Sequence, residues 1–273
     1  MLKSLAAIIL ILFVISVNAQ WIPQRTPMQK KNFSTIAAKK YTMAFEYELA
    51  DGQKVLTGVA EFGAQGLPAA LYEKGTNDNG DSITTAETIY KFDGNGRLIK
   101  ESHSDFVEGS EWYKVYTYSK NDKLVKSNSI HIDPTTTTYT YDAAGKLIKS
   151  HTTVRMPAVD KNGEATGKAV DVPNERKIFA YDKAGRLKEE VIYYLMNEEG
   201  AKKWSYKTQW TFNGKNQLIK LEHINSDNKV YNTETYEYTG DGLLVKKTAQ
   251  LDDEPLKTFV YEYCGTCKQS WMK

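Results

Sequence analysis

The amino-acid sequence predicts an all-β protein, an antiparallel meander of tandem β-hairpin repeats that forms an extended, rolled or barrel-like sheet. An aromatic-rich unit recurs along most of the chain. From Gly109 onward, most of the remaining turn-forming residues fall about midway between successive units. No segment beyond residue 19 shows a sustained helical period, so helix is expected to be a minor component. Together these features predict about sixteen strands of ordinary length.

The recurring unit is an aromatic-x-aromatic arm, a turn that ends in Gly or a substitute, and usually a Leu-Ile/Val-Lys arm. Residues 139–149 (Tyr-Thr-Tyr-Asp-Ala-Ala-Gly-Lys-Leu-Ile-Lys) are the clearest copy. The aromatic pairs, which we call the aromatic ladder, are Tyr90 and Phe92, Tyr116 and Tyr118, Tyr139 and Tyr141, Phe179 and Tyr181, Trp210 and Phe212, Tyr236 and Tyr238, and Tyr261 and Tyr263. Their near-regular spacing indicates a repeat architecture. A degenerate earlier copy is expected at residues 62–67.

The turn within each unit has the chemistry of a tight hairpin. Asp142 favours the first position of a type I turn, and Gly145 accepts a positive φ. A turn of this kind followed by a glycine bulge is a common hairpin connection. It would place Tyr141 beside Leu147 on one face of the sheet, with Thr140 and Ile148 on the other. Asp122, Asn216 and Cys267 stand at the Gly position in three copies.

Two further patterns concern the shape of the sheet. The longest interval between units, from Tyr141 to Tyr181, contains Pro157 and Asn162-Gly163 and predicts an elongated hairpin or a loop. In residues 229–238 both alternating sets of side chains contain polar residues. A sandwich core requires a cleaner apolar face, so this stretch favours a broad, partly wet sheet or a rolled shell.

The chain begins with the pattern of an export signal. A positive charge at Lys3 precedes an apolar stretch from Leu5 to Val17, and Asn18-Ala19 suits a cleavage site. We therefore predict a signal peptide at residues 1–19, an N-terminal linker at 20–40 and the repeat domain at 41–273; an uncleaved anchor is the alternative. The protein is expected to be exported and periplasmic, on the outer surface or secreted.

The charges of the chain are balanced. The 36 basic and 34 acidic residues favour neither nucleic acid nor an anionic membrane as a partner. No stretch after Val17 is apolar enough for a transmembrane helix, so we expect no transmembrane segment after signal cleavage.

The copies at 139–149 and 179–187 resemble the YD repeats of the RHS family, in which Tyr-Asp and a following Gly-Arg/Lys-Leu mark a β-hairpin. The resemblance covers roughly residues 90–263 and is weaker in the copies that replace the Asp. It implies hairpins joined into long sheets that can wind into a shell. MORN-like repeats are a rival resemblance, but they lack the paired aromatics.

Cys264 and Cys267 form the most conspicuous chemical motif. A thioredoxin-like redox pair would need a helix after the second Cys, and only six residues follow it. Lys268 stands where a haem-attachment motif has His, and a zinc site would need two more ligands. The pair is therefore a disulfide candidate that would clamp the terminal hairpin in an oxidising compartment.

The other titratable residues offer weaker candidates. His103 and His223 occupy the same repeat position, so they could lie on one face as metal ligands; we expect them, with His131 and His151, to be surface residues. Glu189 and Glu190 are adjacent and should diverge to opposite faces of a strand, which disfavours paired acid–base chemistry. The sequence assigns no catalytic residue, cofactor or metal.

These observations favour an exported non-enzymatic repeat protein that acts as a structural or binding surface, with an unknown protein or glycan at the cell surface as its partner. The aromatic ladder is expected to be mainly structural, although exposed rings could stack on sugars. The alternative is a secreted or periplasmic hydrolase with carboxylates in a rolled-sheet cleft. The feature that would identify such a hydrolase is a concave pocket that holds two carboxylates from different repeats. A third hypothesis is an outer-membrane barrel.

Overall fold

The computed structural model describes residues 27–77, 79–131, 133–196, 203–252, 254–265 and 267, with side chains from Phe33 onward. The elements of this part of the chain are α1 (Pro27–Ala38), β1 (Met43–Ala50), β2 (Gln53–Phe62), β3 (Pro68–Thr76), β4 (Ser82–Phe92), β5 (Leu98–Asp105), β6 (Ser110–Tyr118), β7 (Leu124–Ile130), β8 (Thr135–Tyr141), β9 (Leu147–Val159), β10 (Ala165–Tyr181), β11 (Leu187–Tyr194), β12 (Tyr206–Phe212), β13 (Leu218–Asn225), β14 (Val230–Tyr238), β15 (Leu244–Leu251) and β16 (Lys257–Cys264).

The sixteen strands form one closed antiparallel barrel in which each strand pairs with its neighbours in the sequence. β1 and β16 close it, in a register that runs from Met43 opposite Cys264 to Glu48 opposite Phe259. Closure removes the free edges that an open sheet would expose. The predicted all-β meander is confirmed, and of the shapes left open it is the barrel that forms, closed rather than extended or rolled.

The predicted turns lie at one end of the barrel. In the clearest copy the Asp142 N–H donates to the Lys146 carbonyl at 2.9 Å, and the Gly145 N–H donates to the Asp142 carbonyl at 3.0 Å. Tyr141 pairs with Leu147 across a bulge, as expected. The same pair of hydrogen bonds closes the turns at 63–67, 93–97, 119–123, 182–186, 213–217 and 239–243. The first of these confirms a hairpin turn in the degenerate earlier copy.

The substitutes for the turn glycine behave as the turn chemistry requires. Asp122 has a φ of 59° and Asn216 a φ of 61°, close to the 82° of Gly145. Asp and Asn tolerate this left-handed conformation better than most residues because their short side chains bond locally. The turn type is therefore preserved in these two copies.

Helix α1 lies within the segment that we predicted to be a linker. It packs against the end of the barrel that carries the tight turns, where Ile36 is buried and Lys39 forms an ion pair with Asp241. A side chain at Gly66 would approach within 2.1 Å of the Phe33 carbonyl oxygen, so the helix needs a glycine there. The predicted signal peptide, residues 1–19, lies outside the described residues, and the domain boundaries remain predictions.

The long interval between units is an elongated hairpin, as one of the two alternatives predicted. β9 and β10 pair from Lys149 opposite Ile178 up to Val159 opposite Ala165. Their neighbours stop earlier, since β8 pairs with β9 only as far as Val154. The part of this hairpin beyond Val154 therefore extends past the rim of the barrel as a two-stranded ribbon.

Alternation along the strands separates a lumen from an outer face. The leucines that follow the tight turns point inward and are at most 6% exposed; they are Leu98, Leu124, Leu147 and Leu218. The next residues in three of these copies, Ile99, Val125 and Ile148, point outward and are between 36% and 38% exposed. We call the end with the tight turns the packed end, and the opposite end the open end.

Candidate functional site: the barrel lumen

The lumen contains a cavity of about 920 Å³. Leu124, Phe179 and Trp210 line it toward the packed end. At the other end it reaches His131 and Asp133, which are exposed beyond the last residue of β7. The cavity is therefore a cup with an apolar floor and a mouth at the open end of the barrel. Its volume is within the range of sites for small organic ligands.

Inward-facing members of the aromatic ladder form much of the packed end. The first ring of each pair points into the lumen, and Tyr90, Phe179, Trp210 and Tyr236 are at most 7% exposed. Tyr116 and Tyr139 line the cavity beside Phe179 and Trp210. These first rings extend the apolar core up to the floor of the cup. Those that line the cavity can also contact a ligand.

The second ring of each pair connects neighbouring units. The hydroxyl of Tyr141 donates to the carbonyl of Leu124 in the preceding unit at 2.9 Å, and Lys123 lies over the ring at 5.3 Å from its centroid. Tyr181 repeats both contacts, to the Leu147 carbonyl and with Lys146. In four units the basic residue after the turn forms a cation–π contact with the second ring of the next unit; these residues are Arg97, Lys123, Lys146 and Arg186. The spacing of the repeats did not reveal this linkage.

Above the aromatic floor, the wall of the cup carries charged residues. Lys177 Nζ lies 3.4 Å from Glu190 Oε1 and 3.7 Å from Glu175 Oε1. Burial by itself lowers the pKa of Lys177. The carboxylates of Glu190 and Glu175 together have the larger effect, so the pKa of Lys177 is raised. Glu190 points inward whereas Glu189 lies on the outer face, where Gln209 donates to it, so the predicted divergence of this pair is confirmed.

Glu101 and Lys114 form a second charged pair in the wall. They lie opposite each other on β5 and β6. Glu101 is 4% exposed, and burial raises the pKa of its carboxyl group, against the attraction of Lys114 and a hydrogen bond with Tyr116. Burial lowers the pKa of Lys114. Within the described part of the chain, Glu101 Oε2 has no hydrogen-bond partner.

A third charged group lies outside the cup, near the seam of the barrel. Glu46, Glu234 and Lys247 are at most 3% exposed, and Lys247 Nζ lies 3.9 Å from Glu46 Oε2. The Tyr261 hydroxyl donates to the same carboxylate at 2.6 Å, and Tyr236 donates to Glu234. Buried charges of this kind are costly unless they are paired. Of the three, only Glu234 had a signal in the sequence, namely the polar content of both faces in residues 229–238.

Two histidines occupy equivalent positions in the lumen and are not the surface residues that we expected. His103 Nδ1 lies 2.9 Å from Thr88 Oγ1, and His223 Nδ1 lies 3.2 Å from Thr208 Oγ1. Burial lowers the pKa of His103 and lowers that of His223 to about 4, so both rings are neutral near pH 7. The correction follows from closure of the sheet, which turns their face inward.

The other two histidines lie apart from this pair. His131 is exposed at the mouth of the cup. His151 alternates with the buried Ser150 and Thr152, so it lies on the outer face. Among the described residues, no group of three or more His, Cys, Asp or Glu side chains is arranged to hold a metal ion.

Cys264 and Cys267 form a disulfide, as predicted. It lies at the end of β16, beside the strand that closes the barrel. The Thr42 N–H donates to the Cys264 carbonyl at 2.9 Å, and Gly265 lies against the Lys40 carbonyl. The crosslinked end of β16 therefore lies against the start of β1.

The outer face of the barrel combines aliphatic and charged side chains. Lys246 Nζ lies 2.9 Å from Glu237 Oε1 on the neighbouring strand, and Lys220 Nζ lies 2.7 Å from Glu222 Oε1 within β13. The described part of the chain contains no helix that is long and apolar enough to cross a membrane.

No family model matches this chain, and no curated protein matches it. Among solved structures, a porin-like protein from Bacteroides uniformis is similar over 82% of this chain and 97% of its own, with 12% identity and a TM-score of 0.48. A porin-like protein from Bacteroides vulgatus is similar over 83% and 99%, with 12% identity and a TM-score of 0.41. The TcdB2-TccC3 structure aligns with 81% of this chain but with 16% of its own, with 11% identity and a TM-score of 0.18.

Proposed function

We propose that this chain is an exported, non-enzymatic binding protein of the cell envelope or the extracellular space, whose ligand site is the lumen of its barrel. The observation that carries this proposal is the cup of about 920 Å³ with one apolar end and one mouth. A closed sheet holds its wall rigid, so a ligand meets side chains that are already in place. Such preorganisation favours binding because little further ordering is needed.

Two features support a place outside the cytoplasm. The expected signal peptide at residues 1–19 would direct the chain to export. The disulfide between Cys264 and Cys267 suits an oxidising compartment. A protein or glycan at the cell surface remains the proposed partner, and nucleic acid is not a proposed ligand because the charges of the chain are balanced.

The outer face favours contact with water. Charged side chains on the lipid face of a membrane barrel are destabilising near the middle of the bilayer. The Lys246–Glu237 and Lys220–Glu222 pairs lie within strands on this face, and the side chain of Glu237 is 61% exposed. We therefore propose a water-facing barrel rather than one embedded in the outer membrane. The test is purification without detergent, and a protein that is extracted only by detergent would contradict it.

We also propose that the hairpin units are related to YD repeats. The support is local, namely the Tyr-Asp arm, the shared turn hydrogen bonds and the leucine that pairs with the second aromatic. The test is to compare related chains that contain different numbers of these units and to ask whether they share both the turn and the aromatic pairs. If such chains share the turn but not the aromatic pairs, the resemblance reflects hairpin chemistry alone.

The binding proposal is tested by blocking the cup. Ser129 lines the cavity, and the adjacent Ile130 points outward and is 43% exposed. The protein and its Ser129→Trp and Ile130→Trp variants are incubated with an envelope extract, and retained small molecules are detected by native mass spectrometry. We expect the protein and Ile130→Trp to retain a ligand that Ser129→Trp excludes. Equal retention, or none, by all three would contradict the proposal.

A hydrolase remains the second candidate, because the cup holds the feature that this hypothesis required. Glu101 and Glu190 are carboxylates from different repeats that line one cavity. Lys177 forms an ion pair with Glu190. Burial raises the pKa of Glu101, so Glu101 is the carboxyl group better suited to act as a general acid. Turnover of chromogenic glycosides and esters that is lost in both Glu101→Gln and Glu190→Gln would favour the enzyme over the binding protein.

A further inference from the structure

We propose that the lumen binds a short neutral saccharide, whose hydroxyl groups bond to Glu101 and Lys114 and whose ring faces pack on Trp112 and Tyr231. This inference rests on the proposed binding function and names its ligand class. Three properties of the wall support it: a buried acceptor that has no hydrogen-bond partner in the described part of the chain, a donor beside it, and aromatic rings that flank neutral imidazoles.

The first property is the unused acceptor of Glu101. Its side chain is buried, it lines the cavity, and its Oε2 atom has no hydrogen-bond partner among the described residues. Leaving a buried acceptor unpaired is unfavourable, and more so when the group is charged. A ligand hydroxyl that donates to this atom would remove the cost. The wall of the cup therefore presents a buried acceptor that is suited to a hydrogen-bond donor on a ligand.

The second property is the position of Lys114 opposite Glu101 on the neighbouring strand. Residues opposite each other on one face of an antiparallel pair have Cβ atoms about 4.5–5.5 Å apart. The wall thus presents an acceptor and a donor side by side. Neighbouring hydroxyls of a sugar ring, each of which can donate and accept, match such a pair. The hydroxyls of Ser129, Ser150, Thr137 and Thr152 extend the polar wall around it.

The third property is a pair of aromatic platforms at equivalent repeat positions. The His103 and Trp112 rings are stacked, with centroids 5.2 Å apart, and the His223 and Tyr231 rings are 6.0 Å apart. Trp112 and Tyr231 both line the cup. Each is an amphipathic ring that can cover the C–H face of a sugar.

The charges of the wall favour a neutral ligand over an ion. Lys177 is compensated by Glu175 and Glu190, so it has little capacity left for an anion. An anionic ligand would also meet Glu101, and a cationic ligand would meet Lys114. Burying either ion would cost desolvation, which one group of opposite charge and one of like charge beside it would not offset. A neutral polyhydroxylated ligand satisfies both groups.

The test is isothermal titration calorimetry on the exported protein, purified from cells that express the full chain. The probes are neutral trisaccharides (maltotriose, cellotriose, laminaritriose, mannotriose and xylotriose), cationic chitosan trimer and anionic trigalacturonic acid. We expect at least one neutral probe to bind and both charged probes to fail. Binding of the charged probes alone, or of none of the seven, would overturn the inference.

Variants assign the binding to the named residues. Glu101→Ala and Trp112→Ala should each weaken binding by about tenfold, the change expected for one hydrogen bond or one aromatic platform. The matched controls are Glu111→Ala and Tyr113→Ala, because these residues alternate with Trp112 and Lys114 and point outward. Equal effects in variants and controls would also overturn the inference.

Glu101→Gln separates binding from stability. If Glu101 serves a ligand, the variant should keep or raise the melting temperature of the empty protein while it weakens saccharide binding, since a buried charge is removed. A lower melting temperature with unchanged affinity would assign Glu101 to the fold. If the envelope-extract experiment finds a retained ligand that is not a saccharide, this inference fails and the binding function stands.

Discussion

The same kind of turn occurs at both ends of the barrel, but in different surroundings. At the packed end, the Asp142–Gly145 turn leads directly to Leu147, which is fully buried, and to rings that bond to the next unit. At the open end, the Asp160–Gly163 turn has the same two backbone hydrogen bonds, at 2.8 and 3.0 Å. It caps a ribbon whose residues are mostly exposed.

This difference shows that turn chemistry defines a hairpin without defining its stability. The local conformation is the same in both turns, with φ of 82° at Gly145 and 84° at Gly163. What differs is the apolar surface that each hairpin buries. The packed end holds the barrel together, and the open end is free to carry a cup and its mouth. Four measurements would sharpen or break this comparison.

The largest effect is expected for Leu147→Ala. Removing a fully buried leucine costs about 2–5 kcal/mol, through lost apolar transfer and the cavity that remains. The matched open-end variant Val159→Ala, at a position that is 61% exposed, should cost less than about 0.5 kcal/mol. Urea unfolding of both variants measures the two free energies. Similar losses would mean that the ribbon is as integral to the fold as the packed end.

The second effect is a pH dependence that arises from His223. Burial lowers its pKa from the ordinary 6.5 to about 4, so the unfolded chain binds a proton in this window that the folded chain does not. Stability is therefore lost as the pH falls from 6.5 to 4, by up to roughly 3 kcal/mol. Glu73, whose pKa burial raises to about 7, acts in the opposite direction, with stability lost as the pH rises from 4.5 to 7.

A comparison of variants isolates the histidine contribution. His223→Gln should lack this loss on acidification, whereas His131→Gln at the exposed mouth should keep it. Urea unfolding at pH values between 4 and 7 gives the change in the free energy of unfolding with pH for each variant. Parallel curves for the protein and His223→Gln would contradict a buried neutral imidazole.

The third effect concerns the two turn glycines. Alanine in a left-handed conformation costs about 1–2 kcal/mol, and this backbone strain is the same at Gly145 and Gly163 because their φ values match. Gly145→Ala should lower the global stability by this amount. Gly163→Ala should lower it less, because the ribbon can open locally while the barrel stays folded. Hydrogen exchange of ribbon amides, faster in Gly163→Ala with unchanged packed-end amides, would support the comparison.

The smallest effect is expected for a single hydroxyl. Tyr141→Phe removes the hydrogen bond to the Leu124 carbonyl and should cost about 1 kcal/mol. Tyr206→Phe, at a ring near the open end that is 39% exposed, should cost less than about 0.5 kcal/mol. Thermal unfolding measures both. A cost of less than about 0.5 kcal/mol for Tyr141→Phe would show that the bond between neighbouring units adds little stability.

Local features of the fold followed from the sequence, but the site did not. The Asp-x-x-Gly turns, the Tyr141–Leu147 pair and the elongated hairpin depend on residues close in the chain, and all three were predicted. Helix α1 was missed because residues 27–38 show no clear apolar stripe, and it is packing against Gly66 and Asp241 that places it. His103 and His223 were assigned to the surface because alternation alone does not say which face is inside.

The sequence by itself determined an antiparallel succession of hairpins, since turn chemistry and aromatic spacing act over a few residues. The tertiary structure alone decided that β16 meets β1. Closure depends on the tilt and stagger accumulated over all sixteen strands, which no single repeat contains. Because closure selects the inner face, it also decided that Glu101, Lys114 and the two histidines line or approach one lumen.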